Sequence, residues 1–301
     1  MKILAYRLFR KFSHLRGDAR RKVYWGNRIA SELALNATSR YFNDDIPPAV
    51  LVEICTDCNY KCPFCPQSQI KRPSQFMTRE DYLVLLRRCR EAGVRWLCLF
   101  VNNEPFMHPE ILEFCRIASE QYGEIYVEVT SNGALITEEH IAFLATLNPP
   151  PRLFVNDYSP GKKIVERLKK IISNIDPQSK LTVTFNDRSW TEAHKSNRAG
   201  ALKTEKAHPE DYNDIFCTWP FVGVCVKPDL STFLCCSDFR YETDLGNLKS
   251  TSLMDIWKNK YGEFRKRLLK TQRHGLFPCS NCDAEWLCLP GHVEKGQSSS
   301  A

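Results

Sequence analysis

The residues best suited to chemistry in this 301-residue chain are its fourteen cysteines, and they are unevenly placed. Four sit at 55, 58, 62 and 65, four at 217, 225, 235 and 236, and three at 279, 282 and 288. Cys89, Cys98 and Cys115 stand alone inside periodic segments and read as core cysteines. The start, MKILAYRLFRKF, carries charges through its apolar positions and does not read as a secretory signal, so the cytoplasm is expected. Disulfides are disfavoured in a reducing compartment, so clustered cysteines argue for metal or iron–sulfur ligation. Cys58-Asn-Tyr-Lys-Cys62-Pro-Phe-Cys65 is C-x3-C-x2-C on one short loop. Three thiolates so spaced can hold three irons of a 4Fe–4S cubane and leave the fourth open to a small chelating molecule. A four-cysteine zinc site is the alternative, but it usually uses paired C-x2-C knuckles, and this spacing fits it poorly.

The elements that must position these thiols follow from periodicity. Val50 to Ile54 reads as a strand leading into the first cysteine loop. Thr78 to Arg90 reads as a helix capped by Thr78 with Asp81 in a capping-box position. Trp96 to Val101 is a buried strand. Pro109 to Gln121 is a helix with proline in its first turn. Ile125 to Thr130 is a strand, and Thr137 to Leu147 a helix capped by Thr137. Arg152 to Asn156 is a strand, Gly161 to Ile172 a helix, and Leu181 to Phe185 a fifth strand. Strands alternating with helices at this spacing imply parallel strands joined by crossovers, which suits a full or partial β/α barrel. The pattern stops near residue 190. Residues 191–216 are polar and read as a linker or a substrate-facing loop. Beyond them lies a cysteine-rich segment with short strands, Val222 to Val226 and Thr232 to Cys235, and a helix from Ser252 to Leu269.

Composition narrows the classes. Apolar residues at 43% and charged residues at 26% allow a sizeable core. There is no eighteen-residue apolar run, hence no expected membrane span. The net charge of +7 is partly local: residues 1–22 hold eight Lys or Arg and one acid, Asp18. A basic amphipathic helix over residues 1–30, packed on the main domain, is expected there. Membrane-surface contact is the less favoured reading. No finger-like Cys/His spacing or RNA-binding aromatic strand appears, so nucleic acid is not expected as a partner.

C-x3-C-x2-C with an aromatic before its last cysteine, after the first strand of a β/α domain, resembles the radical S-adenosylmethionine (radical SAM) superfamily. The resemblance implies a partial (β/α)6-type barrel over residues 50–190. It implies a 4Fe–4S cluster on Cys58, Cys62 and Cys65, with S-adenosylmethionine (AdoMet) chelating the open iron. Cys55 is surplus to the motif and is expected close to the cluster. Tyr60 and Phe64 are the aromatic positions among the cysteines, and Phe64 is expected near the adenine. Asn102-Asn103-Glu104-Pro105 stands where the family typically has Gly-Gly-Glu-Pro, so Glu104 would meet the AdoMet ammonium. The two asparagines would have to tolerate a left-handed turn. Asn103, Thr130, Ser131, Asn132 and Asn156 are the remaining candidate cofactor contacts. Asp157 is a candidate substrate contact.

The second cysteine region resembles the auxiliary-cluster modules of the same superfamily, the SPASM domain and its shortened twitch form. The resemblance covers residues 217–288 and implies a small α+β module over 217–292, with 1–49 as a basic extension and 293–301 as a disordered tail. Cys217, Cys235, Cys279 and Cys282 would hold one auxiliary 4Fe–4S cluster. Cys225, Cys288 or His292 would be unusual ligands of a second cluster, and zinc is a further alternative. Leu230 occupies the place of a usual glycine five residues before Cys235. Asn197-Arg198-Ala199-Gly200 is similar to a segment of twitch-type enzymes acting on aminocyclitols, which makes Arg198 a candidate for substrate hydroxyls.

These resemblances imply hydrogen abstraction by a 5′-deoxyadenosyl radical. A carbinol carbon of a sugar or aminocyclitol, oxidised with the auxiliary cluster as electron acceptor, is the expected reaction. Epimerisation is the alternative, with Cys236 or Cys288 as the hydrogen donor, and radical modification of a peptide is a third option. A low-potential donor such as flavodoxin or ferredoxin is the implied redox partner.

Overall fold

The computed structural model describes residues 44–178, 180–187, 196–203 and 215–283, together with residues 35, 36, 38, 42 and 212. The expected helix over residues 1–30, most of the 191–216 segment, Cys288, His292 and the tail lie outside the described residues.

Four β/α units and a fifth strand build the core. Strand β1 (Ala49–Val52) leads into the first cysteine loop, and α1 (Arg79–Glu91) follows. Thr78 caps α1 as its type and place suggest, its hydroxyl accepting from Asp81 N at 3.1 Å. Next come β2 (Trp96–Cys98), α2 (Ile111–Gln121), β3 (Tyr126–Ser131), α3 (Glu138–Thr146), β4 (Arg152–Asp157), α4 (Lys163–Ile175) and β5 (Val183–Asp187). Helix α3 starts with the reciprocal capping box Thr137–His140. Gly133, at φ 76°, makes the turn after β3; a Cβ there would lie 2.7 Å from Ile164 and 2.8 Å from Val155, so only glycine fits.

All neighbours from β1 to β5 pair in parallel, in the order β5-β4-β3-β2-β1-β6-β7. Their outward side chains, Val50, Val52, Leu97, Leu99, Val127, Val129, Leu153 and Val155, join the helices in one apolar core. A sixth parallel strand, β6 (Gly223–Val226), comes from the cysteine-rich segment and pairs with β1, Ala49 opposite Gly223. The close approach needs glycine: a Cβ on Gly223 would stand 2.3 Å from the Ala49 carbonyl oxygen. Strand β7 (Thr232–Phe233) returns antiparallel. The fold is thus α/β, an open six-stranded parallel sheet of partial-barrel type, with the cysteine-rich module hydrogen-bonded to its first strand through β6. The module's helix runs as α5 (Leu253–Asp255), a π-helical turn (Ile256–Lys260) and α6 (Tyr261–Leu268), Ser252 capping it.

Leu230 does adopt the left-handed backbone that a glycine would, with φ 69°. Its fully buried side chain belongs to the apolar core, which offsets the conformational cost.

A thiol-lined cavity at the strand ends

The segment after β1 is pinned before it offers its cysteines. Glu104 N donates to Asp57 O at 2.9 Å, and Gln67 Nε2 donates to Thr56 O at 2.7 Å and to Asn102 O at 3.2 Å. Arg72, from the same segment, reaches the buried Glu53 carboxylate at 3.1 Å and Thr56 O at 3.2 Å. It also bonds Tyr241 and lies over the Phe239 ring at 4.0 Å, both from the C-terminal module. Tyr241 in turn donates to Glu53.

Cys58, Cys62 and Cys65 all line one cavity of about 270 Å³ at the carboxyl ends of the strands. Burial pushes the Cys58 thiol up to about 11 and Cys62 to about 12, the neighbouring sulfurs adding to the shift at Cys62. Taking up iron would therefore release protons. Among the described residues, no three Cys, His, Asp or Glu side chains close to the spacing of a single metal ion. Three thiols around one cavity instead fit the corners of a cubane, in which each iron takes one protein sulfur. Cys55 stands behind the loop, its thiol donating to Glu104 O at 3.4 Å.

Glu104 lines the same cavity and is 1% exposed. Ser131 Oγ and Phe106 N donate to one carboxylate oxygen at 2.8 and 3.1 Å, and Asn132 N to the other at 2.8 Å. Burial raises its pKa, and these donors partly counter that. The carboxylate is thereby aimed and held, as a receptor for a cation should be. Ser131, Asn132, Asn103 and Asn156 share the cavity wall. Asn132 Nδ2 donates to Asn59 Oδ1 at 2.8 Å and faces Cys58 Sγ at 4.0 Å. The expected left-handed turn at the two asparagines does not form, since neither has positive φ. Their side chains brace the turn instead: Asn103 Oδ1 accepts from Val101 N at 3.1 Å, and Asn102 Nδ2 donates to Cys236 O at 3.0 Å. The amide groups supply contacts that glycine could not.

Two candidates are directed elsewhere. Asp157 does not line the cavity; its carboxylate accepts from Ser159 N at 2.7 Å, Ser159 Oγ at 2.5 Å and Val165 N at 3.0 Å, which ties down the first turn of α4. Thr130 points to the other face of β3, donating to Glu128 at 3.4 Å near Cys98. Strand alternation explains this, because Ser131 and Thr130 cannot face the same way.

The far wall comes from the C-terminal half. Arg198 and Cys236 line the cavity, with the guanidinium 3.7 Å from the Cys236 sulfur. Burial raises the Cys236 thiol to about 11, and Arg198 pulls it back. Arg198 sits at φ 49° and Ala199 at φ 53°, so the turn that aims Arg198 is backbone-strained. Tyr158 and Trp219 also line the cavity, and Tyr158 packs its ring 5.3 Å from that of Phe64. Sequence motifs did not single out either one. Tyr158 directly follows the polar end of β4 and Trp219 lies two residues after a cysteine, which are weak signals.

Cys217, Cys235, Cys279 and Cys282 meet in a second, smaller pocket closed by Ala199, Pro220, Leu234 and Pro278. Burial raises the Cys235 and Cys279 thiols, and the other three sulfurs reinforce this at Cys235. Ser237 and the buried Arg273 also line it, and four convergent thiols fit a four-iron cluster. Cys225 is not among them; it is buried on β6 in a separate apolar group with Val101, Phe233 and Cys236. Cys89 and Cys115 lie in the main core as expected, whereas Cys98 faces Glu128 at 3.8 Å.

Two family models match these two halves: the radical SAM superfamily over residues 52–183, and the SPASM iron–sulfur cluster-binding domain over residues 217–283. The chain belongs to the radical SAM superfamily and is an enzyme of its SPASM branch, using AdoMet and iron–sulfur clusters. It is 23% identical over 248 residues to an S-adenosyl-L-methionine-dependent 2-deoxy-scyllo-inosamine dehydrogenase of Niallia circulans, covering 80% of this chain and 94% of that one. It is 29% identical over 101 residues to a PqqA peptide cyclase of Bradyrhizobium diazoefficiens, a match covering 33% of this chain and 26% of the relative. A crystal structure of BtrN in complex with AdoMet and 2-DOIA superposes with a TM-score of 0.68 at 22% identity, over 80% of this chain and 95% of that one. Among the described residues, no helix is long and apolar enough to cross a membrane.

Proposed function

We propose that the enzyme abstracts a hydrogen atom from a carbinol carbon of a small sugar or aminocyclitol and oxidises that carbon to a carbonyl. The observation that carries this reading is the single cavity in which Cys58, Cys62, Cys65 and Glu104 face Arg198 and Cys236. When bound, a 4Fe–4S cluster with AdoMet would supply a 5′-deoxyadenosyl radical, and an auxiliary cluster would supply an acceptor for the electron left on the substrate. Cys58, Cys62 and Cys65 would hold the first cluster with one iron open, and Cys217, Cys235, Cys279 and Cys282 the auxiliary one. Glu104 binds the AdoMet ammonium by a charge-assisted hydrogen bond, its orientation set by Ser131 and Asn132. Phe64 and Tyr158 present aromatic faces to the adenosine end. Arg198 offers a planar fork of donors to vicinal hydroxyls. Coverage of nearly the whole length of the 2-deoxy-scyllo-inosamine dehydrogenase supports the same class. A flavodoxin- or ferredoxin-type donor would reduce the first cluster.

One observation favours a second reading, epimerisation. The Cys236 sulfur reaches the cavity and can return a hydrogen atom to the opposite face. The deciding experiment incubates anaerobically reconstituted protein with AdoMet, dithionite and candidate substrates in heavy water. Oxidation yields 5′-deoxyadenosine and a product lighter by two hydrogens. Epimerisation yields a product carrying solvent deuterium at the attacked carbon. Stimulation by peptides alone would remove both readings.

A further inference from the structure

The large cavity and the auxiliary pocket are back to back. Arg198 lines the first and Ala199 the second; Cys236 lines the first and Cys235 the second. Trp219 lines both. It belongs to the short helical turn Trp219–Phe221, two residues after Cys217 and just before β6, so its backbone is tied both to a cluster ligand and to the barrel sheet. Its ring packs on the buried group of Val101, Cys225, Phe233 and Cys236. The wall between the chambers is therefore one side chain thick, and its surface toward the auxiliary pocket is continuous with Pro220, Leu234 and Pro278. The two chambers differ in kind: the first is lined by Asn102, Asn103, Glu104 and Arg198, the second mainly by apolar groups and thiols.

We propose that Trp219 is the partition that couples hydrogen abstraction to oxidation: its cavity face seats the substrate's reacting carbon at the shared wall, and its other face limits water entry to the auxiliary pocket. The inference rests on the oxidation reading above. Abstraction breaks the carbinol C–H bond. The resulting carbon radical becomes the carbonyl by losing its hydroxyl proton to cavity water and one electron to the oxidised auxiliary cluster. Electron transfer falls steeply with distance, so a one-residue wall keeps this step faster than loss of the radical. Solvent access past Trp219 also bears on the auxiliary potential, because it is one of the protein's main levers on a cluster. With four thiolate ligands the reduced state carries the larger negative charge, and admitted water stabilises it.

The test uses the reconstituted full-length enzyme and two readouts: the auxiliary midpoint potential by EPR-monitored titration, and product formed per 5′-deoxyadenosine. Trp219→Ala is expected to raise the auxiliary potential and to lower the product ratio about five-fold or more, while Trp219→Phe keeps both near the wild-type values. If Trp219→Ala does not retain iron, Trp219→Gln, which fills the gap with a polar group, gives the same decision. Wild-type potential and wild-type ratio in the polar or truncated variant would overturn the partition. A wild-type product of unchanged mass would overturn the oxidation reading alone, and the potential of the variant would still decide whether Trp219 seals the auxiliary pocket.

Discussion

Glu104 combines burial, three donors and a raised pKa in the wall of the thiol-lined cavity, where the proposed reading puts the AdoMet ammonium. Removing its charge in Glu104→Gln should weaken AdoMet binding by about ten-fold or more, consistent with about 1.5–3 kcal/mol for a hydrogen bond to a charged group. The sign of its pH dependence follows from the raised pKa. If the ionised form binds the ammonium, affinity falls as pH drops through a value above the ordinary 4.5. Titrating AdoMet affinity by calorimetry would show this fall in the wild type and its absence in Glu104→Gln. That the candidate ligand cysteines and Glu104 line the cavities was legible because their proposed chemistry demands fixed spacing along one loop or a fixed place after a strand. Tyr158 and Trp219 were not, since a wall residue needs only to arrive in the right place, and many sequence contexts achieve that. Asp157 shows the reverse error: a polar residue at a barrel strand end has the right address, but its carboxylate is occupied by the first turn of α4.

At the scale of elements, alternation of apolar periods revealed the four β/α units and the fifth strand because each strand or helix carries its own signal over several residues. The partner of Val222 to Val226 carried no such signal. The stretch reads as a module strand, yet it pairs with β1 across a long loop. Only Gly223 hints at it, through the backbone contact with Ala49 that its missing side chain allows. Gly223→Ala should therefore cost about 1–3 kcal/mol by overpacking, read as a lower urea midpoint. His108 tests the approach to α2. Its Nε2–H donates to Met77 O at 3.0 Å and its Nδ1 accepts from Glu110 N at 3.1 Å, so the ring is held neutral. Burial lowers its pKa below 6.5. The stability it contributes is full above 6.5 and is lost as pH falls from there through the lowered value. Denaturation midpoints measured across that window should fall less in His108→Gln than in the wild type.

At the scale of the molecule, the two cluster-bearing halves are joined by more than the sheet. Arg72 belongs to the first cysteine segment, Glu53 to the end of β1, and Tyr241 to the C-terminal module, and all three meet out of water. Burial raises the Glu53 pKa, with Arg72 the main opposing influence. Arg72→Met would strand that carboxylate, at a cost of about 3–5 kcal/mol, whereas replacing both partners by apolar groups should cost far less. A double-mutant cycle in urea reads the difference. Such a tie fits a reaction that begins at one cluster and ends at the other. The measurement to make is the fate of one deuterium. An aminocyclitol deuterated at its carbinol carbons is given to the reduced, reconstituted enzyme with AdoMet. Carbinol oxidation requires deuterium in the 5′-deoxyadenosine and a ketone lacking that atom. Undeuterated 5′-deoxyadenosine, or AdoMet cleaved only in the presence of peptides, from protein holding its full iron, would contradict it.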